Sequence, residues 1–306
     1  MSKPIQEYLV FFDDDLVPFD KANLHIASSA VLYGLSVYTV FPVNKTPAGM
    51  AAFRLEDHYR RLTESAHIIG MDQFAQNWSQ ERFTTAVKKL IRQNGVDQDV
   101  FVRATVHVVD LVPGTGSRGM KTILSMFVYP ANSIVPRDGV RLKSSVWRRI
   151  PDNAIRARAK VNGAYVNSVL AKQDALDSGY DDCILLDSQG HVCELSAANI
   201  FMVRNNMLIT PSTTNDILEG INRKTVIELA KDNNIAIQER TVDLTELYIA
   251  DEAFVCGTSA FISPIKEVDA RVIGKDVPGR ITSLIANLHN KALHGDLDDY
   301  NYMTIL

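Results

Sequence analysis

The stretch from Arg156 to Val203, RARAKVNGAYVNSVLAKQDALDSGYDDCILLDSQGHVCELSAANIFMV, constrains this chain more than any other. Lys160 stands among small and polar residues just ahead of a helical pattern. The run continues through two strand-like segments to an acid, Glu194, beside Ser196 and Asn199. A lysine and a carboxylate held apart by rigid structure could serve one cofactor from two sides.

Bulk properties narrow the classes. A chain of 306 residues is long enough for two ordinary domains, each burying its own core. Its 46% hydrophobic and 22% charged residues are the composition of a globular protein. A formal net charge of -4 argues against nucleic acid as the main partner, because phosphate backbones select basic surfaces. No stretch reaches the roughly 18 apolar residues of a membrane span. Three aspartates break the short apolar run of the N-terminus, so a cytoplasmic protein with no membrane partner is expected. Cys183, Cys193 and Cys256 are odd in number, lie in apolar strand patterns and lack metal-like spacing. Buried free thiols are expected, with no disulfide framework and no metal site.

The order K-x4-Y-x-N-S, across Lys160, Tyr165, Asn167 and Ser168, is followed by GYDDCILLD and by E-x-S-x-x-N-I-F from Glu194. It resembles the signature of the fold type IV pyridoxal 5'-phosphate (PLP) enzymes, whose best-known members are the branched-chain aminotransferases. The resemblance implies an α/β protein (α+β, two-domain), with a smaller N-terminal α/β domain, a larger C-terminal domain and PLP between them. The proline-containing segment YPANSIVPRD marks the boundary, giving a small domain over 1–129, a linker over 130–138 and a PLP-binding domain over 139–306. The resemblance further implies that Lys160 joins PLP covalently, Tyr165 hydrogen-bonds its phenolate oxygen and Glu194 binds its pyridine nitrogen. The chemistry suits the residue types. PLP is an electron sink, so a protein must hold its ring, keep the pyridine nitrogen protonated and supply a base for the substrate carbon.

Taken in order, Tyr8–Phe12 and Leu16–Pro18 flank three aspartates and read as a hairpin with an acidic turn. Residues 27–34 read as a helix ending at Gly34, and Ser36–Val43 as a strand. This segment resembles the family's substrate-pocket strand, which makes Tyr33 and Tyr38 candidate pocket walls. In FRLEDHYRRLTESAHIIGM, Leu55, Tyr59, Leu62 and Ala66 recur at helical spacing. His58, Arg61, Leu62 and Ser65 match the family's H-x-x-R-L-x-x-S, which implies that Arg61 holds the cofactor phosphate. Arginine suits that task through its planar fork.

A second helix runs from about Gln80 to Asn94, and Val100–Val109 reads as a buried strand. An arginine inside such a strand must have a partner or line a cavity. Phe101 and Arg103 stand where the family has Y-x-R in its pocket. Residues 110–119 are rich in glycine and proline, as a pocket-edge loop would be. Beyond the central stretch, Ile217–Arg223 is read as opening a helix. The resemblance there implies that Gly220, Ile221 and Asn222 receive the phosphate at the helix N-terminus. LYIADEAFVCGTSAFISPIKEVD reads as a strand and turn whose Gly257 and Thr258 complete the cofactor cradle. Backbone near Thr258 and Ser259 is expected to bind the substrate carboxylate. The tail after Asn290 is read as covering the C-terminal domain or a neighbouring subunit.

The implied function is PLP-dependent transamination between a branched-chain L-amino acid and 2-oxoglutarate, in amino-acid biosynthesis, by a homodimer or an assembly of dimers. One departure stands out: Tyr38-Thr39-Val40-Phe41-Pro42 replaces the family's F-E-G-I-R, which bears on how a glutamate side chain would be held. The other readings are a D-amino-acid or (R)-amine transaminase, 4-amino-4-deoxychorismate lyase, and an inactive scaffold. The last is disfavoured by the presence of Lys160, Tyr165 and Glu194.

Overall fold

The computed structural model describes residues 4–111, 114–297 and 299–306; Val112 and Pro113 of the expected pocket-edge loop lie outside the described residues. The chain forms two compact units. The first comprises the described residues of Met1–Ala131 with Ala159–Ala164 and Ala292–Leu306, and the second comprises Asn132–Arg158 and Tyr165–Lys291. A single linker at 130–138 therefore does not describe the partition. Lys160 and the C-terminal tail both belong with the N-terminal residues.

The first unit contains β1 (Leu9–Phe12), β2 (Asp15–Pro18), α1 (Ser29–Tyr33), β3 (Ser36–Thr46), β4 (Gly49–Phe53), α2 (Leu55–Ile68), α3 (Asp72–Asn77), α4 (Gln80–Gln93), β5 (Val100–Val108) and β6 (Thr122–Pro130). Asp13 and Asp14 both adopt positive φ in the two-residue turn from β1 to β2, where Phe12 pairs with Asp15. Aspartate tolerates that conformation, and its twist matches the strands. The antiparallel sheet runs β4-β3-β5-β6-β1-β2, and Met303–Ile305 adds a seventh strand outside β4. Tyr302, next to that strand, lies under the Arg54 guanidinium, 4.5 Å from it. The tail thus completes the first unit's sheet, correcting its expected place on the C-terminal domain. Short edge pairing of this kind depends on a partner about 250 residues away and leaves little local pattern.

Alternation along the strands sorts the sheet's two faces. Val37, Phe41 and Val43 of β3, Val102, Ala104 and Val106 of β5, and Leu124, Met126 and Val128 of β6 pack into one core with Leu55, Leu62 and Ala66 of α2 and Phe83, Val87 and Leu90 of α4. Ser79 caps α4, accepting from Arg82 N, which is worth about 1 kcal/mol. The opposite face carries Tyr38, Arg103, Thr105, His107, Phe127 and Tyr129.

The second unit contains β7 (Val140–Arg148), α5 (Tyr165–Asp177), β8 (Asp182–Leu186), β9 (Val192–Leu195), β10 (Asn199–Arg204), β11 (Met207–Thr210), α6 (Ile221–Asp232), β12 (Ile237–Glu239), α7 (Leu244–Tyr248), β13 (Glu252–Gly257), β14 (Phe261–Val268) and β15 (Arg271–Val272), with α8 (Arg280–His294) following. Its mixed sheet has the order β12-β11-β10-β13-β14-β7-β8-β9, and β15 pairs with β14. Leu247 and Tyr248, expected in a strand, end α7, whose start is fixed by a capping box between Asp243 and Glu246. The helix expected from Ile217 begins at Ile221, after Gly220. All three cysteines are buried free thiols.

Candidate active site

In the first unit, α2 presents His58, Leu62 and Ser65 to the sheet at helical spacing, with half-buried Arg61 on the same stripe. Arg60, its neighbour in sequence, is exposed and pairs with Asp57, so the two consecutive arginines part company at once. Ser65 Oγ donates to the Arg61 carbonyl (2.7 Å) and accepts from the Lys160 amide (3.1 Å). The Lys160 carbonyl accepts from the Tyr38 amide at 3.0 Å, and Val161 bridges to Val37. Lys160 is therefore held through its main chain between α2 and β3. The close approach of this segment to α1 requires two glycines. A Cβ on Gly34, whose φ is +65°, would stand 2.8 Å from Gly163 Cα.

Lys160 Nζ lies 4.9 Å from the centre of the Tyr38 ring, and the Arg103 guanidinium lies 3.6 Å from the same ring. Arg103 Nη2 also donates to Asn162 Oδ1, and Asn162 Nδ2 donates to Ser36 Oγ at 2.8 Å. The strand arginine thus has the partner that its position demands. Phe101 is fully buried and packs on Tyr129, whose ring also meets Phe127. The structure brings Tyr38, Phe101, Arg103 and Lys160 into one aromatic and basic neighbourhood. Tyr33 is 47% exposed at the end of α1.

Burial first, and nearby basic groups second, push His58 and His107 toward neutrality. Burial, with Arg103 nearby, lowers the His107 pKa to about 4. Burial and the charges of Arg61, Arg54 and Lys160 hold His58 well below its ordinary value. Thr39 faces α2, where its Oγ1 meets His58 Nδ1 at 2.7 Å and Arg61 Nη2 at 3.2 Å. The sequence departure at Thr39 therefore concerns Arg61 and not the Tyr38 face, because adjacent strand residues point to opposite sides.

In the second unit, Glu194 of β9 pairs across from Leu185, on the sheet face that α5 covers through Ala171 and Ala175. Glu194 Oε2 accepts from Asn199 Nδ2 and from the Leu218 amide, both at 3.1 Å. Glu194 Oε1 lies 2.9 Å from Arg149 Nε, an ion pair without hydrogen-bond alignment between side chains 9% and 11% exposed. Sequence reasoning missed Arg149, because nothing local distinguishes it from Arg148 and its partner is 45 positions away. Asn199 Nδ2 also donates to the Leu218 carbonyl, and a Cβ on Gly220 would stand 2.0 Å from Asn199 Oδ1. Only glycine fits between Asn199 and the start of α6.

Gly220 offers α6 no side-chain cap, so the first-turn N–H groups are left without helical acceptors. Asn222 is buried beside them, and its Oδ1 has no hydrogen-bond partner among the described residues. The uncapped helix N-terminus at Gly220, Ile221 and Asn222 fits a phosphate group through its main-chain N–H donors, whereas Asn222 Oδ1 is an acceptor and adds none. Gly257 ends β13, and a Cβ there would press on the Ala197 carbonyl at 3.3 Å. Thr258 and Ser259 follow it in the turn to β14, where the Ser259 carbonyl accepts from the Ile134 amide. Tyr165 opens α5, and Asn167 donates to the Arg148 carbonyl at 3.1 Å. Among the described residues no cluster of histidine, cysteine and acidic side chains could hold a metal ion.

Residues 36–268 match the model of the family described as amino-transferase class IV. A probable branched-chain-amino-acid aminotransferase of Aquifex aeolicus is 35% identical over 304 residues, covering 98% of this chain and 97% of that protein. The crystal structure of branched-chain aminotransferase from the thermophilic archaeon Thermoproteus uzoniensis with norvaline superposes with a TM-score of 0.92 at 33% identity, covering 97% of this chain and 98% of the other. The T.th. branched-chain amino acid aminotransferase complexed with N-(5'-phosphopyridoxyl)-L-glutamate gives a TM-score of 0.91 at 30% identity, over 99% of each chain.

Proposed function

This chain belongs to the class IV aminotransferases, enzymes that use PLP, and we propose that it exchanges the amino group of a branched-chain L-amino acid with 2-oxoglutarate. The carrying observation is the face of the first unit's sheet, which carries Tyr38, Phe101, Phe127 and Tyr129 together with Arg103, whose guanidinium lies over the Tyr38 ring. Aromatic walls favour leucine, isoleucine and valine side chains, and the Arg103 guanidinium on the same face favours the distal carboxylate of glutamate. The relatives' ligands, norvaline in one and a phosphopyridoxyl-glutamate in another, agree with a pocket that takes both kinds of side chain.

When bound, PLP supplies an electron sink for the carbanion formed at the substrate α-carbon. The chain's own residues do the rest. Lys160 attaches the cofactor and carries the proton to and from that carbon. Tyr165 donates to the phenolate oxygen. Glu194, held by Arg149 at one oxygen and two N–H donors at the other, faces the pyridine nitrogen. Arg61 and the start of α6 at Gly220, Ile221 and Asn222 grip the phosphate, and Gly257 and Thr258 flank it. Thr258 and Ser259 bind the substrate carboxylate, and Tyr33 contributes to the pocket wall. Donor and acceptor use one pocket in turn, so the kinetics are those of a two-stage exchange.

The protein works in the cytoplasm as a homodimer or a set of dimers. Among the described residues no helix is long and apolar enough to cross a membrane. The exposed apolar side chains of Val166, Val169 and Leu170 on α5, with Trp147 on β7, favour assembly. Sedimentation checks this, since a fully active monomer would remove it. The activity itself is tested by incubating the enzyme with leucine, 2-oxoglutarate and PLP. Formation of glutamate and of the leucine-derived oxo acid in equal amounts is expected; release of pyruvate from an aminodeoxychorismate substrate instead would assign the lyase.

A further inference from the structure

Thr39 is fully buried in β3, and its hydroxyl stands between two basic groups of α2. Arg61 Nη2 donates to it at 3.2 Å, and His58 Nδ1 lies 2.7 Å away. A threonine hydroxyl has one proton to give. Its oxygen has two lone pairs, so it accepts from Arg61 and meets His58 Nδ1 as donor or acceptor according to the ring's tautomer. A charged His58 would set a second cation against an oxygen already engaged by a guanidinium. Its complete burial beside Arg61, Arg54 and Lys160 opposes that charge as well. Thr39 Oγ1 thus joins Arg61 to His58 through a single atom.

We propose that Thr39 is the positioning residue of Arg61: its hydroxyl, buried between Arg61 and His58, holds the guanidinium in one conformation ready to receive the cofactor phosphate. The inference rests on the assignment of Arg61 to that phosphate. A flexible arginine loses rotamer freedom when it grips an anion, and a fork already fixed through one nitrogen loses less. The relay thus contributes to cofactor affinity, although neither Thr39 nor His58 needs to touch PLP.

The test is titration of the cofactor-free protein with PLP and, separately, with pyridoxal, which lacks the phosphate, following the absorbance of the bound chromophore. Thr39→Val is expected to weaken PLP about tenfold and pyridoxal less than about twofold, because the Arg61 and His58 nitrogens lose their shared partner on the phosphate side alone. Thr39→Ser, which keeps the hydroxyl, is expected to stay within about threefold of the parent for PLP. Equal weakening of both ligands, or an unchanged PLP affinity, overturns the proposal. Thr39→Ala carries the same prediction without an added methyl, should the valine variant fail to fold, and an unselective loss there counts equally against it. A parent protein that binds neither ligand would instead overturn the cofactor assignment itself.

Discussion

Three cations of the first unit and one anion of the second are held by different means. In the first, Arg103 is held by the Tyr38 ring and the Asn162 amide, Arg61 meets the Thr39 hydroxyl, and Lys160 is fixed through its main chain. In the second, the key anion is held through its side chain, with Arg149 at one oxygen and two N–H donors at the other. A neutral contact orients a cation without cancelling its charge. A buried ion pair fixes charge in place and makes each member depend on the other. The first arrangement suits groups that must bind or move, and the second suits a group whose ionisation must stay constant.

The largest effect tests the mobile side of this contrast. Lys160→Ala is expected to remove transamination and covalent cofactor attachment with the fold intact. Borohydride reduction of the parent, followed by peptide mapping, should find PLP on Lys160; a label on another lysine would break the assignment. On the fixed side, Arg149→Met should cost about 3–5 kcal/mol of stability in the cofactor-free protein, because Glu194 would be left buried without its cation. Adding Glu194→Gln should recover part of the loss in urea unfolding. Strict additivity of the two changes would show that the pair is not coupled.

The burial of His107 in the first unit, with Arg103 nearby, has its own pH signature. His107 titrates near 4 when folded against an ordinary 6.5, so the folded state binds its proton less readily than the unfolded chain. Its contribution to stability is present above 6.5 and is lost as pH falls toward 4, on the order of 2 kcal/mol by about pH 4.5. His107→Gln, which can keep the bond to Ser125, should flatten the stability profile over that window. The smallest effect concerns Arg103. Its alanine variant should lose about tenfold in kcat/KM with glutamate while changing little with leucine and an apolar oxo acid. An equal loss for both donors would make Arg103 structural.

Much of this was legible in the residues because its causes are local. The Asp13-Asp14 turn, the apolar stripe of α2, and the partner required by Arg103 each follow from side-chain chemistry within a few positions. The sidedness of Thr39 was equally available, since residues 38 and 39 of a strand must face apart. Reading the five-residue segment as one pocket motif obscured it. Phe127 and Tyr129 could have been found the same way, from alternation along β6. What stayed hidden was non-local. Arg149 meets Glu194 across the sheet, Asn162 reaches back to β5, and Met303–Ile305 pairs with a strand near the other end of the chain.

The central claim is that the pocket is built for branched-chain L-amino acids. The measurement that bears on it most directly is kcat/KM for a panel of amino donors with 2-oxoglutarate and with pyruvate, under saturating PLP. Leucine, isoleucine or valine with 2-oxoglutarate is expected to be turned over faster than D-alanine or 1-phenylethylamine. Faster turnover of D-alanine, or of an amine that lacks a carboxylate, would contradict the branched-chain reading while leaving the family and its cofactor in place.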